Sequence, residues 1–277
     1  MASTLGDGTA DLGRGIVPLR PPVGTGTPRV ARIYNCLLGD DGDSFASERE
    51  AAARILAMNP RVRHMVLANR QFLGRAVRHA VATRGIHQLL DIGSGYPTQH
   101  NVHEVAHSIA PDACTVYVDN DEVVASHGRA LLADDRRSFF VECDLRQPGE
   151  IIWAAQTVLD FTKPVAVLLV AILHFLPDGE DPHGIVKDLV GALAPGSLLV
   201  VSHVLDDAQT QRGARVYDRA SAPVVPRSPD RIGAFFDGLD LEVPGLVTLP
   251  MWQPDDDTWY QDEADSMPVL CAVGRKP

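Results

Sequence analysis

Three short apolar stretches in this chain each run into an aspartate, and that repetition constrains the fold more than any other feature. Leu89-Leu90-Asp91-Ile92 leads into the turn Gly93-Ser94-Gly95. Thr115-Val116-Tyr117-Val118 ends in Asp119-Asn120-Asp121, and Ser138-Phe139-Phe140-Val141-Glu142-Cys143 ends in Asp144. Short apolar runs separated by segments of helical period read as parallel strands joined by helical crossovers. In an open sheet of that kind ligands bind beyond the carboxyl ends of the strands. Three carboxylates are therefore expected in one cleft, where they suit a ligand carrying hydroxyls, an amino group and positive charge.

The alternation continues downstream. Val165 to Val170 is unbroken and apolar, as expected of a strand covered on both faces. A helix then runs to Leu193, Ala194-Pro195-Gly196 turns the chain, and Ser197 to His203 is the next strand. Leu246 to Leu249 and Val269 to Val273 read as two closing strands with an antiparallel end. The expected fold is α/β: a doubly wound, mostly parallel, seven-stranded Rossmann-like sheet with an antiparallel C-terminal strand. Ahead of it, residues 28–85 read as a helical lid. One helix stops at Gly39, a second runs from about Phe45 to Met58 behind a Ser44 or Asp43 cap, and a third opens at Pro60 and stops at Gly85. Residues 1–27, rich in Gly, Pro and Thr, read as a flexible arm, and residues 86–277 as the ligand-binding domain. Arg61, Arg63, Arg70, Arg75 and Arg78 fall at helical spacings that suit a solvated face.

Composition narrows the partners. The chain has 277 residues and a net charge of −11, which disfavours a nucleic-acid partner because phosphate binding needs clustered Lys and Arg. No apolar run approaches the ~20 residues of a membrane span, and the N-terminus has no secretory core segment. The four cysteines, Cys36, Cys114, Cys143 and Cys271, contain no C-x-x-C pair and fit a reduced cytoplasmic setting, with the last three expected as buried thiols.

Several of these motifs together resemble a known family. Asp91-x-Gly93-x-Gly95, Asp119, Asp144, Leu193-Ala194-Pro195-Gly196-Ser197 and the terminal strand pair resemble class I S-adenosylmethionine (SAM)-dependent methyltransferases from Ile86 to Lys276. More specific wording spans nearly everything after Thr27. It includes Ala31-Arg32-Ile33-Tyr34-Asn35-Cys36-Leu37-Leu38-Gly39, Gly95-Tyr96-Pro97-Thr98-Gln99, Asn101-Val102-His103-Glu104 and Leu173-His174-Phe175-Leu176-Pro177-Asp178. It is similar to an actinobacterial set of SAM-dependent methyltransferase-like proteins long catalogued as a domain of unknown function. The resemblance implies the fold and SAM as cofactor, and supplies no substrate. One departure is that Tyr96-Pro97-Thr98 stands where a third glycine is usual. Pro97 removes a backbone donor, and Thr98, Gln99 or the helix start at Asn101 are the candidates to compensate.

On this reading Gly93 and Gly95 let the backbone approach the cofactor. Asp91 organises that turn and reaches toward the cofactor's ammonium, and Asp119 accepts from the ribose hydroxyls. Asn120 and Asp121 belong to the adenosine pocket or cap the next helix. Asp144 accepts from the adenine amino group, with Cys143 and Leu145 flanking the ring. Tyr34, Asn35, Asp43 and Phe45 form the lid, an aromatic face suiting a sulfonium cation. His174 and Phe175 follow the fourth strand, where His174 is the candidate catalytic residue, as a base or as a hydrogen-bonding group for the acceptor. Each has a plainer alternative: turn cap, helix cap, loop ion pair or packed side chain.

Two features stay outside that scheme. His103-Glu104-Val105-Ala106-His107 matches the zinc-protease pattern literally. No third ligand follows at protease spacing and the helix begins in the cofactor turn, so no metal is expected. The loop holding Trp252, Trp259 and Tyr260 reads equally as a gate or a surface loop. The expected activity is methyl transfer to a small-molecule acceptor. Strand four lacks the Asn/Asp-Pro-Pro-Tyr pattern of base and glutamine amino methylation, which lowers those substrates. The alternatives are a non-catalytic SAM-binding protein and, less favoured because Asp91 and Pro97 break its pattern, an NAD(P)-dependent oxidoreductase.

Overall fold

The computed structural model describes residues 26–39, 42, 44–97 and 100–277. The expected arm therefore lies almost wholly outside the described residues, as do Asp43, Thr98 and Gln99. Three helices come first: α1 (Val30–Leu38), α2 (Ala46–Met58) and α3 (Val62–Arg78), the last prolonged by a π-helical turn to Thr83. The alternating part follows as β1 (Gln88–Ile92), α4 (Val102–Ile109), β2 (Cys114–Asp119), α5 (Glu122–Leu131), β3 (Ser138–Glu142), α6 (Pro148–Ala155), β4 (Ala166–Val170), α7 (Pro182–Gly191) and β5 (Leu198–Val204). The C-terminal part adds α8 (Ala208–Ala214), α9 (Pro229–Gly233), β6 (Asp240–Leu241), β7 (Val247–Thr248) and β8 (Val269–Arg275).

The strand order is β3-β2-β1-β4-β5-β8-β6, with β7 also on β8. β1 to β5 pair in parallel and β8 runs antiparallel to β5. The order reverses at β1, so the carboxyl ends of β1 and β4 flank a crevice, the usual ligand site of such sheets. The sheet has eight strands among the described residues, where seven were expected. The closing segment is split: β6 pairs with Arg275 and Gly274, whereas β7 pairs with Cys271 and Leu270. Val243-Pro244-Gly245 lies between them, and a proline without an N–H cannot continue the ladder.

Side chains alternate between two faces, as strand geometry requires. One face packs Leu89, Leu168 and Val200 with Phe72, Ala76 and Trp252. The other packs Leu90, Val167 and Leu199 with Ile151, Val186 and Leu189. A smaller cluster of Ile33, Leu37, Ala51, Ile55 and Val66 joins α1, α2 and α3. No helix among the described residues is long and apolar enough to cross a membrane.

Some local expectations change. α2 is not capped by Ser44, whose hydroxyl donates to the Arg32 carbonyl at 3.4 Å; the Glu48 carboxylate accepts from the Phe45 N–H at 3.1 Å instead. The arginines of α3 do not share one solvated face. Arg61, Arg63 and Arg78 are exposed, but Arg75 is buried and donates to the Trp252 and Leu249 carbonyls at 3.0 and 2.6 Å. Those carbonyls belong to an irregular segment covered by α3, and buried carbonyls without ladder partners need donors. Trp252 itself is fully buried, edge-on to Phe72 and His79. Of the cysteines expected to be buried only Cys271 is; Cys114 and Cys143 are half-buried at strand ends, and none of the four forms a disulfide.

Candidate functional site

The turn after β1 is tied to the end of β2. The Gly93 and Ser94 N–H groups both donate to the Val118 carbonyl, at 2.7 and 3.2 Å, and the Gly95 N–H donates to Asp119 Oδ2 at 2.9 Å. Gly93 and Gly95 have φ of 72° and 66°, a region that glycine enters without a steric penalty. At Gly93 an added Cβ would lie 2.5 Å from Ile172, two residues beyond β4's end. At Gly95 it would meet nothing within 4 Å, so the backbone there fronts open space.

That open space is a cleft of about 1210 Å³, counting the solvent at its mouth. Asp91, Gly93, Gly95, Asp119, Asn120, Asp144 and Leu145 all line it, so the strand-end residues singled out in the sequence converge. Burial pushes the Asp91 carboxyl up to about 7, Arg70 opposing and Asp119 adding to the effect. Burial likewise pushes Asp119 up to about 6, although the Asp121 and Gly95 N–H groups stabilise its anion. Asp144 is different. Burial raises it, but the Arg146 N–H, the Asn120 amide and the Arg146 guanidinium together hold it below the ordinary carboxylate value. Asn120 Nδ2 donates to Asp144 Oδ2 at 2.8 Å, and Arg146 also reaches Glu180 at 2.7 Å. Asp121 caps α5, accepting from the Val123 N–H at 2.9 Å.

α1 roofs the cleft. Arg29, Val30, Ala31 and Tyr34 line it from that side. The helix is fastened by Arg32, 1% exposed, which donates to Asp121 Oδ1 at 3.2 Å and lies 4.0 Å from Glu48. Phe45 covers the same guanidinium, its ring centroid 5.1 Å away. Asn35 is buried and does not line the cleft. Sequence reasoning missed Arg32, because an arginine on an apolar helix face carries no signal until its acidic partner, Asp121, is known to lie opposite.

A second cavity of about 960 Å³, again counting open solvent, adjoins the cleft, and Tyr34, Asn69, Ala171 and Phe175 line both. The dividing wall is a hydrogen-bonded chain. The Ala171 N–H donates to Ser202 Oγ at 2.9 Å, and Ser202 donates to Asn69 Oδ1 at 2.6 Å. Asn69 Nδ2 donates to the Tyr34 hydroxyl at 3.0 Å. Ala171, at the carboxyl end of β4, has φ 56°, a strained conformation for a residue with a Cβ and one concentrated at functional sites. None of Asn69, Ala171 and Ser202 was visible as a site residue in the sequence, since their types are unremarkable and their proximity is purely tertiary.

His174 lines the second cavity and not the cleft. Burial, helped by His203 and Arg227, pushes its pKa well below the ordinary histidine value, so the ring is neutral. Its Nδ1 is buried without a hydrogen-bond partner among the described residues, and the ring packs against Phe175 and edge-on to His203. The turn that carries it is clamped by the buried Arg227, which donates to the Leu173 and Leu176 carbonyls at 3.1 and 2.7 Å.

The remaining sequence candidates lie elsewhere. His103 Nδ1 is 2.7 Å from the Tyr117 hydroxyl, and His107 Nε2 is 3.0 Å from the Ala113 carbonyl. These two rings support α4 on the sheet, and among the described residues no group of three His, Cys, Asp or Glu could hold a metal ion. Asn101, the helix start offered as compensation for Pro97, turns its N–H into its own helix, donating to Glu104 Oε2 at 2.8 Å in the cap of α4. The tryptophan loop, offered as a gate or a surface loop, lines neither cavity; Trp252 is buried, but Trp259 and residues 253–257 are exposed on the surface. Gln71 and Arg78 of α3 hold it through Asp257, Trp259 and Asp255.

The acceptor set suits SAM: strand-end carboxylates, Asp91, Asp119 and Asp144, able to take hydroxyl, amino and ammonium groups, and a glycine turn that leaves room for a ligand. Comparison with known proteins points the same way. The sequence pattern of the S-adenosyl methyltransferase family matches residues 18–277. A DUF574 family protein of Streptomyces avermitilis, known from a crystal structure, is 36% identical with a TM-score of 0.86, covering 91% of this chain and 98% of its own. A Thermobifida fusca protein to which methyltransferase activity is provisionally ascribed is 34% identical with a TM-score of 0.86, covering 95% and 99%. Curated proteins give no match. The match over nearly the whole chain decides the cofactor in favour of SAM over a nicotinamide dinucleotide. The chain belongs to the S-adenosyl methyltransferase family, a SAM-dependent methyltransferase on a Rossmann-like fold.

Proposed function

We propose that SAM is held in the carboxylate cleft and that a small-molecule acceptor meets it from the apolar cavity. The observation that carries this reading is the shared wall: Tyr34, Asn69, Ala171 and Phe175 line both spaces. A protein that only sensed SAM would need no second chamber opening on the first. S-adenosylmethionine, when bound, supplies a sulfonium methyl group already activated for transfer.

The chain's own residues have separable roles in this scheme. Asp119 accepts from the ribose hydroxyls while keeping the Gly95 N–H. Asp144, with Asn120 beside it and Leu145 against the ring, accepts from the adenine amino group. Asp91 pairs with the ammonium of the methionine end, a partner that would draw its raised pKa back down. Residues 28–85 act as a lid, with α1 excluding water and Tyr34 presenting its ring near the junction of the two spaces. His174 orients the acceptor by accepting a hydrogen bond at a ring nitrogen. Its depressed pKa makes it a poor store for a proton, so alignment rather than general-base strength is its contribution.

Calorimetry with S-adenosylhomocysteine tests the cofactor assignments. Asp119→Ala should bind it roughly 10–100-fold more weakly, the loss of one or two hydrogen bonds to a charged acceptor. A folded Asp119→Ala protein with unchanged affinity would reject the ribose assignment.

A further inference from the structure

The apolar cavity ends in an unusual place for so acidic a chain. Its walls are mostly aliphatic and aromatic, Leu37, Ile55, Val66 and Phe175 among them, with uncharged polar groups such as Asn69 and Ser202, and among the described residues no Asp or Glu lines it. At its mouth stand Met58 and Arg212. The same two residues line a neighbouring groove completed by Arg54, Arg215, Val216 and Arg219. Four arginines thus converge beside one opening, on a protein of net charge −11.

Three of these arginines are not consumed by the fold. Arg54 pairs with Glu50 at 3.4 Å on its own helix. Arg212, Arg215 and Arg219 are exposed, and no hydrogen bond or ion pair of their side chains occurs among the described residues. Nearby acids are accounted for in part: Asp207 caps α8, accepting from the Gln209 and Thr210 N–H groups at 2.7 and 2.8 Å, while Asp218 is exposed. A local excess of one sign at the rim of a low-dielectric pocket focuses the field and concentrates ligands of the other sign. Guanidinium groups also match carboxylate, sulfate and phosphate geometry. By contrast, a cationic acceptor would find no counter-charge in the cavity.

We propose that the methyl acceptor is an amphipathic anion: an apolar, ring-sized body lodged between α1, α3 and β5, with an acidic group at the arginines of the mouth. This rests on the reading of the apolar cavity as the acceptor site. Arg212 and Arg215 are then specificity residues, and His174 holds the end of the molecule that faces the cofactor. A polynucleotide is the other ligand such arginines suit, but the rest of this acidic surface would repel it.

Two fluorescent probes of similar ring size separate these outcomes on the full chain with S-adenosylhomocysteine present. One is 8-anilinonaphthalene-1-sulfonate, an anion; the other is neutral N-phenyl-1-naphthylamine. The anion should bind at one site per chain and about tenfold more tightly than the neutral probe. Reversing the rim with Arg212→Glu and Arg215→Glu together should weaken the anion at least tenfold, about 1.4 kcal/mol. The neutral probe should change by less than about twofold. Equal affinity of the two probes, or a double variant that leaves the anion unchanged or weakens both alike, would overturn the proposal. So would a duplex oligonucleotide that displaces the anion from the wild-type protein. Calorimetry with S-adenosylhomocysteine in the same double variant keeps the readings apart. Cofactor affinity should be unchanged, and its absence already in the wild type would fail the cofactor assignment while the probe comparison still reports on the cavity.

Discussion

The two adjoining cavities are built in opposite ways. The carboxylate cleft takes its chemistry from the turns that follow β1, β2 and β3, within residues 91–146; Asp91 and Asp119 are buried with raised pKa values, and Asp144 is half-buried with a lowered one. The apolar cavity draws on α1, α2, α3, β5, α8, β8 and the turn after β4, and no carboxylate among the described residues lines it. A sheet supplies the first wherever strands end in parallel. The second exists only because separate helices happen to lean together over it. A shared fold can therefore keep one cofactor while the acceptor site varies freely, and function has to be argued from the second cavity.

The largest effect should come from unfastening the roof common to both. Arg32→Met leaves the buried Glu48 without its cation and Asp121 with only the half-exposed Arg29 at 4.0 Å, and removing one partner of a buried pair typically costs about 3–5 kcal/mol. Urea unfolding should show a loss of that order, with weaker binding of S-adenosylhomocysteine. A loss below about 1 kcal/mol would mean that α1 is held by its apolar contacts alone.

Hydrogen exchange sharpens the same point. Bound S-adenosylhomocysteine should slow exchange across Pro28 to Phe45 by about tenfold or more, as expected of a lid that closes on its ligand. Slowing confined to the Gly93 turn would leave α1 a purely structural element and remove the lid.

A smaller, pH-linked effect belongs to the cleft alone. Folded Asp91 holds its proton to about pH 7, well above an exposed aspartate. The group's contribution to stability is thus complete below the unfolded value near 4 and is lost as pH rises through about 7. An ammonium partner selects the ionised form, so affinity for S-adenosylhomocysteine should rise roughly fivefold to tenfold between pH 6 and 7.5. Asp91→Asn should flatten both profiles. A wild-type affinity that is level over that range would place the ammonium elsewhere.

The smallest expected effect is the most discriminating. His174→Phe should leave the affinity for S-adenosylhomocysteine within about twofold, because the ring faces the apolar cavity and not the cleft. A tenfold loss in calorimetry would erase the distinction between the two spaces.

The unequal legibility of the two cavities has the same origin. Asp91, Asp119 and Asp144 could be read because each follows a local apolar run whose period announces a strand, and the sheet's topology then brings the run ends together. The parallel order and the antiparallel end followed from the same signals, although the split into β6 and β7 did not, since two-residue strands leave no period. Arg32, Asn69, Ser202 and Arg227 were illegible for the converse reason. Each satisfies a partner far away in sequence, and nothing local marks a residue whose role is to answer a distant carboxylate or carbonyl. The arginines of α3 show how this misleads: helical spacing alone did not separate Arg75, in the interior, from Arg78, in solvent.

A single helix roofing both cavities has a kinetic consequence. Tyr34 of α1 lines both spaces, and Leu37 of the same helix also lines the apolar one. Any movement of α1 is therefore felt in both spaces at once, so an occupant of either would slow the opening of the other, while each space keeps its own mouth, the apolar one beside Met58 and Arg212.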